Sequence, residues 1–271
     1  MLTRLRSYLR FPLLNVPAIP ETLWQQTLVQ YPFLHRLPAP DRLRLRDLSG
    51  RFLAHKEFTG AHGLVVTDEM AVAIAAQACL PILHLSLKLY DDFKCIVVHP
   101  GAMLARREIR DAAGVVHHYN EALSGEAMLG GPVTLSWQDV AASGAQAELG
   151  YNVVIHEFVH KIDMRDGFAN GCPPLPSRTA QAAWLAVMKP AYENFRNQLV
   201  MAERFGGLAS TEENNGTAAP WLNPYGATSP AEFFAVASEA YFVNRARFER
   251  DFADLTQLFD AFFKKNSAMA Q

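Results

Sequence analysis

Residues 150–163 read Gly-Tyr-Asn-Val-Val-Ile-His-Glu-Phe-Val-His-Lys-Ile-Asp, and this stretch decides the fold and the chemistry that we expect. His156 and His160 are four positions apart, so on a helix their imidazoles lie one turn apart on the same face. Such a pair can bind one Zn²⁺ ion at Zn–N distances of roughly 2.0–2.1 Å. Glu157 lies beside the first histidine, where it can take a proton from a metal-activated water. The pattern His-Glu-x-x-His is typical of metallopeptidases.

The same two histidines have an alternative role, as a hydrogen-bonded pair in an ordinary core. The neighbouring residues favour a metal, because the stretch is apolar on nearly every side and predicts a buried helix over about 148–162. Two histidines and a glutamate at the centre of such a helix are costly to bury unless their polar atoms find partners. A bound metal ion would be such a partner.

A catalytic zinc site needs a third protein ligand and an open position for water. Glu232, Asp166 and Glu239 are the candidates. Glu232 follows Ser229 and Pro230, a pattern that also predicts a capping box at the start of a helix. Asp166 comes shortly after the histidine pair, where some zinc peptidases place a third ligand after a tight turn. Glu239 lies on roughly the same helix face as Glu232. Its possible roles are a metal ligand, a hydrogen-bond partner of a ligand, or an ordinary polar residue near the core.

Three further polar residues need an interpretation. Asp163, three positions beyond His160, is predicted to accept the ring N–H of a ligand histidine and fix its tautomer; the alternative is an ordinary helix-terminal aspartate. His117 and His118 are adjacent on a predicted strand and point to opposite faces, so we expect solvent-exposed hairpin residues rather than ligands.

Composition limits the class of protein. The chain has 271 residues, of which 50% are hydrophobic and 19% charged, which is typical of a globular protein with a substantial core. A net charge of −2 argues against direct nucleic-acid binding or an anionic membrane surface. The longest apolar run, over residues 70–85, is too short and too interrupted to span a bilayer. Three widely spaced cysteines argue against a disulfide framework and favour the cytoplasm, with Cys79 and Cys95 expected in the core.

The order of predicted elements indicates an α+β protein, because strands cluster in the middle and helices lie on both sides. We expect a small mixed β-sheet, an active-site helix and surrounding helices in a single domain, 1–271, with a helical part over 1–58 and a catalytic core over 59–265. Helices are predicted over 21–34, 40–58, 67–85, 148–162, 179–201, 230–244 and 248–265. Strands are predicted at 94–99, in a hairpin over 105–121 and in a pair over 123–137. An irregular surface excursion is predicted over 203–228.

Five separated segments carry a resemblance to a known family. They are Ile74–Cys79, Leu123–Ala127, Gly131–Trp137, Gly150–Met164 and Ala231–Glu239. Together they resemble Mlc titration factor A, a family of bacterial zinc peptidases similar in catalytic core to the anthrax lethal factor protease domain. The resemblance runs from about residue 58 to 263.

The resemblance implies a zincin-like metallopeptidase core with one Zn²⁺ per chain. It implies that His156, His160 and Glu232 bind the ion, that Glu157 is the catalytic base and that Tyr225 assists catalysis. From spacing alone, Tyr225 is better explained as a turn-packing aromatic. The family implies aminopeptidase-type activity on peptides, and binding of the Mlc repressor with an influence on glucose phosphotransferase expression. The alternative function is a non-catalytic protein that sequesters a transcriptional repressor.

Residues 124–126 are predicted to form the edge along which a substrate backbone aligns by strand addition. In this interpretation Ser124 and Gly125 contribute backbone. Glu126 has three alternatives: contact with the substrate amine, an outer partner of the site, or a plain structural glutamate.

Overall fold

The computed structural model describes residues 18–110, 116–205 and 220–264, with the backbone alone for residues 104–110, 116–122 and 205. Within these ranges the chain begins with helices α1 (Glu21–Gln30), α2 (Pro32–His35) and α3 (Ala39–His55). Helices α1 and α3 pack against α4 (Asp68–Cys79), which is buried from Met70 onwards. The N-terminal helical part therefore shares a core with the rest of the described chain.

Three of these helices end earlier than the sequence predicts. The helix predicted over 21–34 is interrupted at Tyr31, before Pro32. Helix α3 stops at His55 because residues 57–60 form strand β1 (Glu57–Gly60), and the Glu57 N–H donates to the carbonyl of Lys94. Helix α4 stops at Cys79, ahead of Pro81, which has no N–H to continue the helical hydrogen bonds.

A four-stranded mixed sheet lies in the middle of the chain. Strands β1, β2 (Cys95–His99) and β6 (Val133–Ser136) are parallel, and β5 (Gly125–Ala127) runs antiparallel to β6. Their order across the sheet is β1-β2-β6-β5. Strand β5 is therefore an edge strand of this sheet. The predicted hairpin is confirmed as β3 (Met103–Arg110) and β4 (Val116–Leu123), although its turn and the side chains of His117 and His118 lie outside the described residues.

One prediction about the cysteines is wrong. Cys79 is buried as expected, but Cys95 is exposed because it opens β2 on the outward side, where exposed and buried positions alternate. All three cysteines are free thiols.

The second half of the chain is helical. Its α-helices are α5 (Trp137–Gln146), α6 (Val153–Asp163), α7 (Arg178–Phe205), α8 (Pro230–Val243), α9 (Arg245–Asp251) and α10 (Ala253–Phe263). Helix α6 packs against the sheet on one side and α8 on the other. One cluster of buried residues extends from Ile19 to Phe263. The predicted α+β class, with a small mixed sheet and surrounding helices, is confirmed.

Most of the irregular excursion predicted over 203–228 falls on residues 206–219, which lie outside the described residues. In the part of the chain that the structure describes, no helix combines the length and the apolar character needed to cross a membrane.

Candidate metal centre

The His-Glu-Phe-Val-His stretch lies in α6, and the residues before it set where that helix begins. Gly150 adopts a left-handed conformation with φ of 75°, and a Cβ there would lie 2.4 Å from the ring of Trp221. Asn152 then caps the helix, since its Oδ1 accepts the N–H of Ile155 at 2.9 Å. The helix predicted from residue 148 therefore begins at Val153 instead, and residues 147–149 form a separate 3₁₀ turn.

Three side-chain atoms converge on one point beside this helix. Nε2 of His156 and Nε2 of His160 lie 3.0 and 3.1 Å from Oε2 of Glu232, and the two nitrogens are 3.2 Å apart. Within the described residues, these are the side chains whose arrangement could hold a metal ion. In a tetrahedral zinc site with bonds of roughly 2.0–2.1 Å, neighbouring ligand atoms lie about 3.3 Å apart. The size of the observed triangle fits such an ion.

The backbone of Glu232 lies in the cap of α8, and its carboxylate lies among the converging atoms. Ser229 Oγ accepts the backbone N–H of Glu232 at 3.2 Å, so the N-cap of α8 is present, with Pro230 in the first turn. The Glu232 carboxylate, however, lies on the two imidazoles. Burial alone would raise its pKa, but hydrogen bonds to His156 and His160 outweigh burial and hold the pKa of Glu232 well below its usual value.

Glu239 lies on the other side of the His156 ring. Its Oε1 is 2.7 Å from Nδ1 of His156, and its Oε2 accepts the backbone N–H of Asn152. Burial lowers the pKa of His156, but the charge of Glu239 and the hydrogen bonds that the ring donates to both glutamates outweigh burial and raise the pKa well above its usual value. With a metal bound, a carboxylate at Nδ1 would keep the proton on that nitrogen and leave the Nε2 lone pair for the ion.

Asp163 and Asp166 lie away from these contacts. Oδ2 of Asp163 accepts the backbone N–H groups of Asn170 and Gly171 at 2.9 and 2.8 Å, while its Oδ1 is buried without a hydrogen-bond partner. Gly171 in turn lies so close to the carbonyl of Pro230 that a Cβ there would be 2.5 Å from it. Asp163 thus holds the loop at residues 170–171, and this loop lies against the start of α8. Asp166 is exposed in the 3₁₀ turn after α6.

Glu157 is the buried carboxylate beside the histidine pair. It is 5% exposed, and burial raises its pKa to about 7, against the opposing effect of His156 and His160. A Cβ on Gly125 would lie 2.5 Å from Oε1 of Glu157, so the edge strand reaches this carboxylate only because residue 125 has no side chain.

A cleft of about 470 Å³ brings the remaining predicted site residues together. Ser124, Gly125 and Glu126 line it with Tyr225, whose ring centroid is 6.0 Å from that of His156. Lys161 on α6 is fully buried and holds the far end of β5 in place, since its Nζ donates to the carbonyl of Met128 at 2.9 Å. The cleft therefore has the histidine pair at its base and β5 along one side.

Two residues near the centre were not singled out from the sequence. Asn152 caps α6 and also donates from Nδ2 to Oε1 of Gln77 at 2.8 Å, and both side chains are fully buried. Asn152 could have been recognised as an N-cap, because asparagine is a preferred N-cap residue. The second residue is Gln77, and its only signal in the sequence is that it is polar within an apolar, alanine-rich stretch.

Comparison with known proteins agrees with this geometry. A family model described as glucose-regulated metallo-peptidase M90 matches residues 5–264. A protein named Mlc titration factor A from Serratia proteamaculans (strain 568) is 36% identical over 249 residues, covering 91% of this chain and 88% of the relative. Proteins of the same name from Escherichia fergusonii and Klebsiella pneumoniae (strain 342) are each 32% identical, covering 90% and 91% of this chain and 86% and 87% of the relatives. The resemblance found in the sequence is confirmed, and the chain belongs to the glucose-regulated metallo-peptidase M90 family.

Proposed function

We propose that this protein is a zinc-dependent peptidase with aminopeptidase-type specificity and a zincin-like catalytic core. The observation that carries the proposal is the convergence of His156, His160 and Glu232 beside the buried carboxylate of Glu157. A structural metal site does not need a further carboxylate that lines a cleft beside its ligands. A peptidase does, because hydrolysis needs a base at that position.

Zinc is the ion that this ligand set favours. Two imidazole nitrogens and one glutamate oxygen make the His₂Glu set of catalytic zinc sites, in which the fourth position is left for water or substrate. When bound, zinc would act as a Lewis acid and lower the pKa of a coordinated water to about 7. Glu239 orients His156 through its Nδ1, and Asp163 holds the loop that lies against the start of α8, the helix that carries Glu232.

Glu157 is assigned as the general base. It removes the proton from the attacking water and passes it to the leaving amine, and both steps need a carboxylate rather than an amide. Its contact with Gly125 keeps it next to the edge strand. A substrate backbone that pairs with β5 is thereby brought past the base, with its scissile carbonyl on the side of the histidines.

Tyr225 is assigned to the stabilisation of negative charge on the substrate oxygen. We expect Tyr225→Phe to lower kcat by about 10²–10³-fold, the effect of removing one oxyanion donor elsewhere, without loss of bound zinc. Tyr192→Phe is the matched control. The Tyr192 hydroxyl donates to the carbonyl of Ala227, two residues after Tyr225, but Tyr192 does not line the cleft. Equal rates for Tyr225→Phe and wild type would exclude Tyr225 from the mechanism.

The charge of the cleft supports a preference for a free amino terminus. Four glutamates and two histidines line it, and within the described residues no lysine or arginine does, so a substrate carboxylate would meet no cation there except the metal. Glu126 lines the cleft on the edge strand β5, and we propose that its carboxylate binds a substrate ammonium group.

Glu126→Gln should therefore raise KM for substrates with a free α-amine by at least about tenfold, the effect of losing one hydrogen bond to a charged group. The KM for N-acetylated versions of the same substrates should not change. Glu148→Gln, a change in an exposed carboxylate that pairs with Arg36, serves as the control. If KM changes equally for free and N-acetylated substrates, Glu126 does not bind the substrate amino group.

The proposed activity is tested with purified protein stripped of metal and reloaded with zinc. We expect hydrolysis of aminoacyl p-nitroanilides that is absent without metal, returns with zinc and saturates at one equivalent per chain. A zinc-loaded protein with one bound ion that hydrolyses neither these compounds nor unblocked peptides would contradict the proposal.

We propose the Mlc repressor as a binding partner, on the ground that the relatives carry the name Mlc titration factor A. Both proteins would then meet in the cytoplasm. Calorimetric titration of purified Mlc with wild type and Glu157→Gln separates this role from hydrolysis. Equal affinities would show that binding does not need the base, and binding without any hydrolysis by wild type would favour the non-catalytic alternative.

A further inference from the structure

Helix α4 contains one buried amide side chain, that of Gln77, which also lies within hydrogen-bond reach of the Tyr31 hydroxyl. Every residue from Met70 to Cys79 is buried, and Gln77 alone among them carries a polar side-chain amide, with 0% exposure. A buried amide is costly unless its hydrogen bonds are made, and a leucine or methionine would fill the same space without that requirement. The contacts of Gln77 therefore indicate what the amide is for.

Those contacts form a continuous chain that ends at a proposed metal ligand. Gln77 Oε1 accepts from Asn152 Nδ2 at 2.8 Å, and the backbone N–H of Asn152 donates to Oε2 of Glu239. Oε1 of the same carboxylate lies 2.7 Å from Nδ1 of His156. Asn152 and Glu239 are as buried as Gln77, with 0% and 1% exposure. The chain thus joins α4 to the ring of His156 through groups that are shielded from water.

The direction of each amide in this chain is fixed. Asn152 Oδ1 accepts the Ile155 N–H, so its Nδ2 must face Gln77, and Gln77 Nε2 donates to the carbonyl of Ala73 at 3.0 Å. A reversed amide at either residue would place two donors against each other. The arrangement at the start of α6, and with it the N–H that holds Glu239, is therefore specified from outside the site.

We propose that Gln77 is a positioning residue for the metal centre, acting on His156 through Asn152 and Glu239. The inference rests on the proposed metal site and extends it to a helix that contributes nothing to the cleft lining. Residues that orient ligands through hydrogen bonds typically affect metal affinity by 10–100-fold. Because Gln77 acts through two intermediate residues, we expect an effect at the lower end of that range.

The test compares zinc affinities, measured by competition with a chromophoric chelator, for wild type, Gln77→Met and Tyr90→Phe. Tyr90 is a matched control because its hydroxyl is also buried and donates to α4, at the carbonyl of Ala78, without contacting Asn152. We expect zinc binding to weaken about tenfold in Gln77→Met and less than twofold in Tyr90→Phe. Equal affinities for Gln77→Met and wild type would overturn the inference. A wild type that binds no zinc would instead overturn the proposed metal site.

A second variant keeps the test valid if Gln77→Met folds poorly. Asn152→Ser retains an N-cap oxygen but removes the amide that Gln77 contacts, so it should weaken zinc binding to a similar extent. In the double variant the two effects should not add, because both act through the same hydrogen bond. Ring ¹⁵N shifts of His156 should move in both single variants and stay unchanged in Tyr90→Phe. Additive effects on affinity, or unchanged His156 shifts in both single variants, would show that Gln77 serves the fold alone.

Discussion

Replacing Glu157 by glutamine is expected to lower kcat by about 10²–10⁴-fold, the contribution of a well-placed general base, while one zinc ion per chain is retained. Glutamine has nearly the same shape, so the close contact with Gly125 is preserved. It cannot accept the proton of the attacking water. The substitution also removes a carboxyl group that is buried and only 5% exposed, so the variant should be no less stable than wild type.

Steady-state kinetics, zinc content and thermal unfolding of the same preparation check this expectation. Glu148→Gln again provides a neutralised carboxylate outside the cleft, with kcat expected to equal that of wild type. If Glu157→Gln keeps kcat within tenfold of wild type, another group is the base and our assignment of Glu157 is wrong.

The second large effect is expected at the third ligand. Glu232→Ala should weaken zinc binding by more than about 100-fold, beyond the range for residues that only orient ligands, and hydrolysis should be lost with it. The helix start should remain intact, because Ser229 caps the backbone N–H of residue 232 and not its side chain. A loss of zinc affinity in Glu232→Ala can therefore be assigned to the missing carboxylate and not to a loss of the helix start.

Two parallel variants separate the three candidates that the sequence offers for this ligand. Asp166→Ala should bind zinc like wild type, since Asp166 is exposed outside the group of converging atoms. The zinc affinity of Glu239→Gln should lie between those of wild type and Glu232→Ala, because Glu239 contacts His156 at Nδ1, away from the converging atoms. Chelator competition gives all four dissociation constants. A greater loss of affinity in either parallel variant than in Glu232→Ala would assign the third ligand elsewhere.

Local features of the site could be predicted from the sequence. The spacing of His156 and His160 predicts a shared helix face, and their 3.2 Å separation agrees with it. The pattern Ser229-Pro230 predicts the N-cap of α8. These predictions succeed because they depend on the repeat of one helix or on a single turn of backbone.

Contacts between distant parts of the chain could not be predicted in the same way. Spacing left Asp163 with two alternatives, as the acceptor for a histidine ring or as an ordinary helix-terminal aspartate, whereas the structure places Glu239, 83 residues away, at Nδ1 of His156. The contact between Gln77 and Asn152 spans 75 residues. Helical repeats state which residues share a face but not which other helix that face meets. The resemblance supplied Glu232 for this reason, and spacing did not.

A crystal structure of the protein grown with zinc would show whether His156, His160 and Glu232 hold one zinc ion. Anomalous difference density collected on both sides of the zinc absorption edge identifies the element and its position together. Our account predicts a single strong peak within about 2.0–2.2 Å of both Nε2 atoms and one oxygen of Glu232. An ordered site without a peak, or a peak from which the Glu232 carboxylate turns away, would contradict it.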